Sequence, residues 1–198
     1  MTIPPDQQLG ARLGLPDDLL YLARRHPRPW DTAPGLAGTG EIWLANHGHF
    51  RAVTGAIAGF VDRLRGGEAP PDGFVAPFRH RVGGLLSGLD GHHRIEDDYY
   101  FPRFMQAEPR LLHGFEIMED DHHVIHQAIF ELSSASRALI EALGEPAERL
   151  SPDAARAADA AAGTLGRFRK VLGRHLDDEE DLVIPLLLER AAADPDLA

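Results

Sequence analysis

Histidines and acidic residues stand in short clusters along the chain, at spacings that metal ligands use. The sequence contains 11 histidines, most of them in the stretches NHGH, GHH, DDHHVIH and GRHLDDEE. In two of these clusters a histidine precedes a glutamate by four residues, as His92 precedes Glu96 and His175 precedes Glu179. Residues four apart on a helix project from the same face, one turn from each other. Each pair is therefore suited to bind one metal ion, and its glutamate can bridge to a second ion.

Three further histidines fall on the apolar faces of helical patterns. His122 and His126 are again four residues apart, which is a common metal-binding arrangement on a helix. His47 is in phase with the apolar residues that follow it. His49 lies about 200° away from His47 around the same helix, so His47 is the candidate.

Each of these features alone has an ordinary explanation, because an exposed ion pair one helical turn apart is worth only a few tenths of a kcal/mol. Their combination is different, since burying so many polar groups is expensive unless something satisfies them together. Five imidazoles and two carboxylates are too many for one four-coordinate zinc ion. Two six-coordinate ions with a bridging oxo or hydroxo group accommodate them and leave one position open. Nitrogen and oxygen ligands without sulfur suit iron.

The elements that must position these residues are four long amphipathic segments with short connections. The 3.6-residue period predicts helices over about 40–64, 77–100 and 109–143, and a fourth that opens at Ser151-Pro152-Asp153. No stretch shows sustained strand alternation. The predicted fold class is therefore all-α, an antiparallel up-down four-helix bundle over residues 41–193. Residues 1–40 are rich in proline and glycine and are predicted to be an irregular N-terminal extension, whose Leu19 and Trp30 should pack against the helices.

Composition excludes several classes of function. The chain of 198 residues has no cysteine, which removes disulfides, iron–sulfur clusters and thiolate catalysis. A net charge of −11 argues against nucleic acid or an anionic membrane as the main partner. Because there is no signal-peptide pattern and no apolar run long enough to span a bilayer, a cytoplasmic protein is expected.

The ordered set of motifs resembles the hemerythrin-like (HHE) family of non-haem di-iron proteins. The matching stretches are His47 in NHGHFR, HHRIED, DDHHVIH and HLDDEE, and the resemblance covers about residues 41–190. It implies a di-iron site inside a four-helix bundle that binds O2 or reacts with NO or peroxide. The ligands that it implies are His47, His92, Glu96, His122, His126, His175 and Glu179.

Two of these assignments leave alternatives. Oxygen-carrying hemerythrins have the last carboxylate one position later, which would select Glu180, whereas the internal repeat with Glu96 favours Glu179. Some family members keep a single histidine on the third helix, so His126 can also fall outside the site. His93 and His123 point away from the apolar stripe by about 100° and are expected to be outer groups or surface residues.

The sequence leaves open whether the protein turns over a substrate or only binds one. The expected partner is a small diatomic ligand or peroxide at an open iron position, with a possible electron-donor protein. Alternatives are an oxygen, redox or iron sensor, an iron-storage module, and a ferritin-like carboxylate di-iron oxidase. The last would need two Glu-x-x-His motifs, of which only Glu119 to His122 is present. A helical interaction protein with incidental histidines is the plainest alternative.

Overall fold

A computed structural model of the chain describes residues 3–144 and 150–190, and within those ranges the regular structure is helical, without strands. The predicted all-α class is confirmed, while the antiparallel bundle arrangement stays a prediction. The predicted end of the helical domain at residue 193 lies outside the described residues. The α-helices are α1 (Tyr21–Arg25), α2 (Thr39–Arg65), α3 (Val75–Ile95), α4 (Phe101–Ala107), α5 (Leu112–Leu143) and α6 (Pro152–Arg190). Short 3₁₀ helices at Pro5–Gln7 and Pro109–Leu111 complete them.

Helix boundaries follow the local signals in the sequence. The backbone N–H of Ala154 donates a 3.1 Å hydrogen bond to the Ser151 hydroxyl, which caps the start of α6 where the sequence predicts it. At the other end of a helix, α2 stops before Gly67, whose φ of 87° suits glycine because it has no Cβ. The second predicted helix, over 77–100, was wrong at its end. Helix α3 passes into a π-helical turn at Glu96–Tyr100, and α4 then continues to Ala107.

The described residues divide into two compact units. The first unit comprises residues 3–49, 92–124 and 171–190. Its apolar core joins side chains from the N-terminal segment with side chains from the helices. The core residues include Leu19, Leu22, Trp30, Trp43, Phe101, Phe104, Phe115, Met118, Leu182 and Leu186. The expected packing of Leu19 and Trp30 against the helices is thus confirmed within this unit.

The second unit comprises residues 50–91, 125–144 and 150–170. Buried aliphatic and aromatic side chains line its helices, and Phe60 stacks on Phe74 with ring centroids 3.7 Å apart. In neither unit do the described helices include one that is long and apolar enough to cross a membrane.

Candidate metal centre

Two groups of potential metal ligands lie buried in the first unit. His47, His92, Glu96 and Glu179 each offer a ligand atom within 4.8 Å of the others, and we call them the first ligand group. His93, His122 and His175 meet the same criterion and form the second ligand group. All seven side chains are less than a tenth exposed. Four separate stretches of chain supply them, from α2, the α3 end with its π-helical turn, α5 and α6.

In the first ligand group, two imidazole nitrogens and a carboxylate lie close to one another. Nε2 of His47 lies 3.1 Å from Nε2 of His92, and the latter lies 2.8 Å from Oε1 of Glu96. The Glu96 contact is short but lacks hydrogen-bonding geometry, because Glu96 accepts no hydrogen bond among the described residues. Nitrogens and an oxygen directed at one point in this way are arranged as ligands of a cation.

The second ligand group is built from three imidazole rings. His93 stacks on His122 with ring centroids 4.0 Å apart and an interplanar angle of 9°. The His175 ring stands at steep angles to both, with centroids 5.5 Å from His93 and 5.0 Å from His122. Three neutral imidazoles can hold one divalent cation together.

The two glutamates connect the groups. Oε1 of Glu96 faces His92 of the first group, while Oε2 lies 3.6 Å from Nε2 of His122 in the second group. Oε2 of Glu179 lies 3.5 Å from Nε2 of His47 and 3.2 Å from Nε2 of His175. Each carboxylate therefore faces ligand nitrogens of both groups.

In three of the histidines, Nδ1, the ring nitrogen that points away from the other ligand atoms, contacts a carboxylate. Nδ1 of His47 lies 3.1 Å from Glu180, Nδ1 of His122 lies 2.8 Å from Asp97, and Nδ1 of His175 lies 3.2 Å from Asp121. A carboxylate accepts hydrogen bonds, so each Nδ1 carries the proton and donates it. In the neutral form of such a ring, Nε2 carries a lone pair directed at the ligand groups, which is the arrangement of metal-bound histidines.

Burial of these groups shifts their proton affinities. Burial lowers the pKa of His92 to about 4 and also lowers the pKa of His122. Burial, followed by the negative charge of Glu179, raises the pKa of Glu96 well above its ordinary value. Burial alone would lower the pKa of His175, but its contacts with Asp121 and Glu179 raise that pKa to about 9.

The residues present fit a metal site, as the hydrogen bonding of the buried atoms indicates. Six ligand-group atoms are buried and have no hydrogen-bond partner among the described residues. They are both carboxylate oxygens of Glu96, both of Glu179, and the Nε2 atoms of His122 and His175. Buried polar atoms are otherwise nearly always paired, so these six atoms fit the role of cation ligands.

The structure brings together six of the seven residues that the sequence selected. They are His47, His92, Glu96, His122, His175 and Glu179. His126 is not brought into either ligand group. Its side chain is 43% exposed in the second unit, with Nδ1 3.4 Å from Asp90. Glu180 also lies outside both ligand groups and serves His47 through its Nδ1 instead.

His93 is the ligand candidate that the sequence analysis placed outside the site. Neighbouring positions on a helix point about 100° apart, so His92 and His93 cannot share one stripe. Here the end of α3 directs His92 towards His47 and His93 towards His122 and His175. The only sequence signal for His93 as a ligand was its position directly after His92. This signal is ambiguous, because His123, which directly follows His122, is exposed.

A helical protein that buries histidines and glutamates in two groups is, as a class, a candidate metal-binding protein. The family model described as the hemerythrin HHE cation binding domain matches residues 39–187. The chain belongs to this family, so the resemblance drawn from the motifs is confirmed. No curated protein and no solved structure matches the chain.

Proposed function

We propose that the chain holds two iron ions between its ligand groups and binds or reacts with a small diatomic molecule or peroxide. In this proposal His47 and His92 ligate one ion, and His93, His122 and His175 ligate the other. Glu96 and Glu179 bridge the two ions. The proposal goes beyond the cation binding that membership of the family states, because it fixes the number of ions, the metal and the reactant.

The observation that carries the proposal is the orientation of the Glu96 carboxylate. Its two oxygens face different ligand groups, one towards His92 at 2.8 Å and the other towards His122 at 3.6 Å. A carboxylate that served one ion only would not need a second imidazole at its other oxygen. The Glu179 contacts with His47 and His175 support the same role for a second bridge.

The ligand count supports two six-coordinate ions with an open position. With His93 in the place predicted for His126, the site again offers five imidazoles and two carboxylates. Two bridging carboxylates and five histidines leave three of the twelve positions, of which a bridging oxygen would take two. Nitrogen and oxygen donors in this ratio suit iron. Iron would supply reversible electron transfer to a ligand at the remaining position.

The surrounding residues exclude water and fix the ligand rings. The Trp43 ring lies against His47 and His92, with centroids 6.2 and 5.9 Å apart, and Phe101 stacks on His122 at 5.6 Å. Aromatic walls of this kind lower the local dielectric constant and limit solvent access, which affects both the redox potential and ligand binding. They favour a small uncharged reactant over a large polar substrate.

Metal analysis with absorption spectroscopy tests the proposal. Protein from iron-supplied cells should contain about two irons per chain, and its aerobic near-ultraviolet bands should shift when azide is added. Mixing the reduced protein with O2, NO or peroxide in a stopped-flow instrument then identifies the reactant. Zinc alone, one ion or none in protein that remains folded would contradict the proposal.

The ferritin-like alternative loses its main support in the structure. That class would require Glu119 as a ligand together with His122. Glu119 belongs to neither ligand group and is only partly buried. A sensor or storage role for the same centre would give the same metal content, but no measurable turnover of peroxide or NO.

A further inference from the structure

The N-terminal segment, residues 3–38, lies outside the range that the family model matches, yet it delivers a buried arginine to the first unit. The side chain of Arg12 is 1% exposed. Its Nε donates a 2.8 Å hydrogen bond to Asp178, and both Nη atoms donate to the carboxylate of Asp121. Nη1 also donates to the backbone oxygen of Gln7 at 3.0 Å. The planar guanidinium group thus holds two buried carboxylates in fixed positions.

One of these carboxylates is the partner of a proposed metal ligand. Oδ2 of Asp121 accepts a 3.2 Å hydrogen bond from Nδ1 of His175, while Nε2 of His175 faces Glu179. Arg12, Asp121 and His175 therefore form a continuous chain of contacts from the N-terminal segment to the ligand groups. Without the guanidinium group, Asp121 and Asp178 would be two buried carboxylates with much less compensating charge, and Asp121 would lose its fixed orientation.

A second arginine of the same segment also contacts a carboxylate that is the partner of a proposed histidine ligand. Nη1 of Arg28 donates a 2.9 Å hydrogen bond to Oε2 of Glu180, whose Oε1 lies 3.1 Å from Nδ1 of His47. Arg28 is itself held by Asp181 at 2.9 Å and by the ring of Trp30, 4.3 Å from its guanidinium carbon. Its side chain is 43% exposed, so this chain of contacts reaches the surface.

We propose that the N-terminal segment slows the release of metal from the centre, with Arg12 and Arg28 as positioning residues. Each arginine fixes the carboxylate that orients one histidine ligand, His175 in one case and His47 in the other. Loss of such outer partners typically weakens metal binding 10–100-fold in metalloproteins, because the imidazole loses its tautomer and its direction. The inference rests on the proposed metal centre, but concerns two residues outside the range that the family model matches.

The test compares metal release from the loaded protein and from single variants. Arg12→Gln and Arg28→Gln remove the two proposed positioning groups. Arg25→Gln is the matched control, because Arg25 lies in the same segment and pairs with Glu189, at 58% side-chain exposure, without contacting a ligand partner. The reduced iron protein is mixed with a ferrous chelator and the release rate is followed by absorbance. We expect release to be about tenfold faster or more in the first two variants and unchanged in the control.

A spectroscopic readout separates positioning from general structural damage. In the cobalt-substituted protein, proton NMR resolves the exchangeable Nδ1–H signals of metal-bound histidines. We expect Arg12→Gln to shift the His175 signal and Arg28→Gln to shift the His47 signal, with both unchanged in the control. Arg12→Lys keeps the positive charge but loses the planar guanidinium group that binds a carboxylate through two N–H groups. Its rate of iron release should therefore fall between those of the wild type and Arg12→Gln.

The outcomes separate this inference from the proposed function. If the wild type carries metal, and both glutamine variants release it at the wild-type rate with unshifted N–H signals, the retaining role is wrong and the metal centre stands. A lower melting temperature without a faster release would likewise overturn it. If Arg12→Gln does not fold, the part-exposed Arg28 decides the question alone. Wild-type protein that binds no metal overturns the metal centre, and this inference with it.

Discussion

Removing the metal from the loaded protein should lower its thermal stability by a large margin. The reason is the set of six buried atoms of Glu96, Glu179, His122 and His175 that have no hydrogen-bond partner among the described residues. In the loaded protein these atoms would face cations. In the stripped protein they are desolvated, and the nearest polar atoms are other ligand nitrogens and oxygens that form no hydrogen bond with them. The perturbation is therefore removal of the metal by reduction and chelation, without a change of sequence.

The magnitude follows from the number of these atoms. A buried donor or acceptor atom left unsatisfied costs about 1–3 kcal/mol, so six such atoms cost about 6–18 kcal/mol. Water that enters the stripped site would satisfy some of them, which favours the lower end of this range. A loss of about 6 kcal/mol is comparable to the whole stability of a typical domain, about 5–15 kcal/mol. At about 2–4 °C per kcal/mol for a chain of this size, the melting temperature should fall by roughly 12–24 °C.

Circular dichroism melts of the loaded and the stripped protein measure this difference. Two variants sharpen the interpretation. Ser151→Ala removes the helix cap of α6 in the second unit, and should destabilise both forms equally, by about 1 kcal/mol. Glu96→Met should weaken metal binding yet melt higher than the wild type when both are stripped, because it removes a buried carboxyl beside Glu179.

A single result would refute this reasoning. If the loaded and stripped forms melt within about 2 °C of each other, less than the shift expected from 1 kcal/mol, the buried atoms are satisfied without metal. The structural argument for a cation would then fail. A stripped Glu96→Met protein that melts below the stripped wild type would show that the carboxyl contributes to the fold rather than to the metal.

Three further predictions concern other parts of the structure. His93→Gln should reduce the iron content from about two ions to about one per chain, whereas His126→Gln should leave it unchanged, as elemental analysis would show; equal losses would contradict the ligand set. Asp97→Ala should weaken metal binding about 10–100-fold in a chelator competition, because its histidine partner loses orientation; an unchanged affinity would contradict that role. Gly114→Ala should lower the melting temperature, because the new methyl group would lie 3.0 Å from the buried Leu182 at a cost of about 1–3 kcal/mol. Gly173→Ala should raise the melting temperature, because its new methyl group meets nothing within 4 Å. A higher melting temperature in both variants would show that Leu182 moves aside.

Much of the helical structure could be read from the sequence, because capping residues and apolar periodicity act locally. Ser151 and Pro152 predicted the start of α6, and the 3.6-residue period predicted long helices throughout residues 41–190. The end of the second helix was not predictable in this way. The chain continues through the π-helical turn at Glu96–Tyr100 into α4, and Pro102 occupies the first turn of α4, where proline's missing N–H costs little.

Spacing within one segment of the sequence predicts which side chains share a face of a helix. Spacing alone selected His92 with Glu96 and His175 with Glu179, and the structure brings all four into the ligand groups. Periodicity fixes the direction of a side chain around its own helix axis. It therefore found pairs that share one stripe of one helix.

Which histidines come together in the ligand groups depends on how the helices pack. The rotation and height of a helix relative to its neighbours depend on packing, which the periodicity of one segment does not contain. His93 lies off the predicted stripe but is buried against His122, whereas His126 lies on its stripe and is exposed beside Asp90. The contact between Arg12 and Asp121 joins residues 109 positions apart in the chain. No local pattern encodes such a contact, because it forms only when the folded chain brings the two charges together.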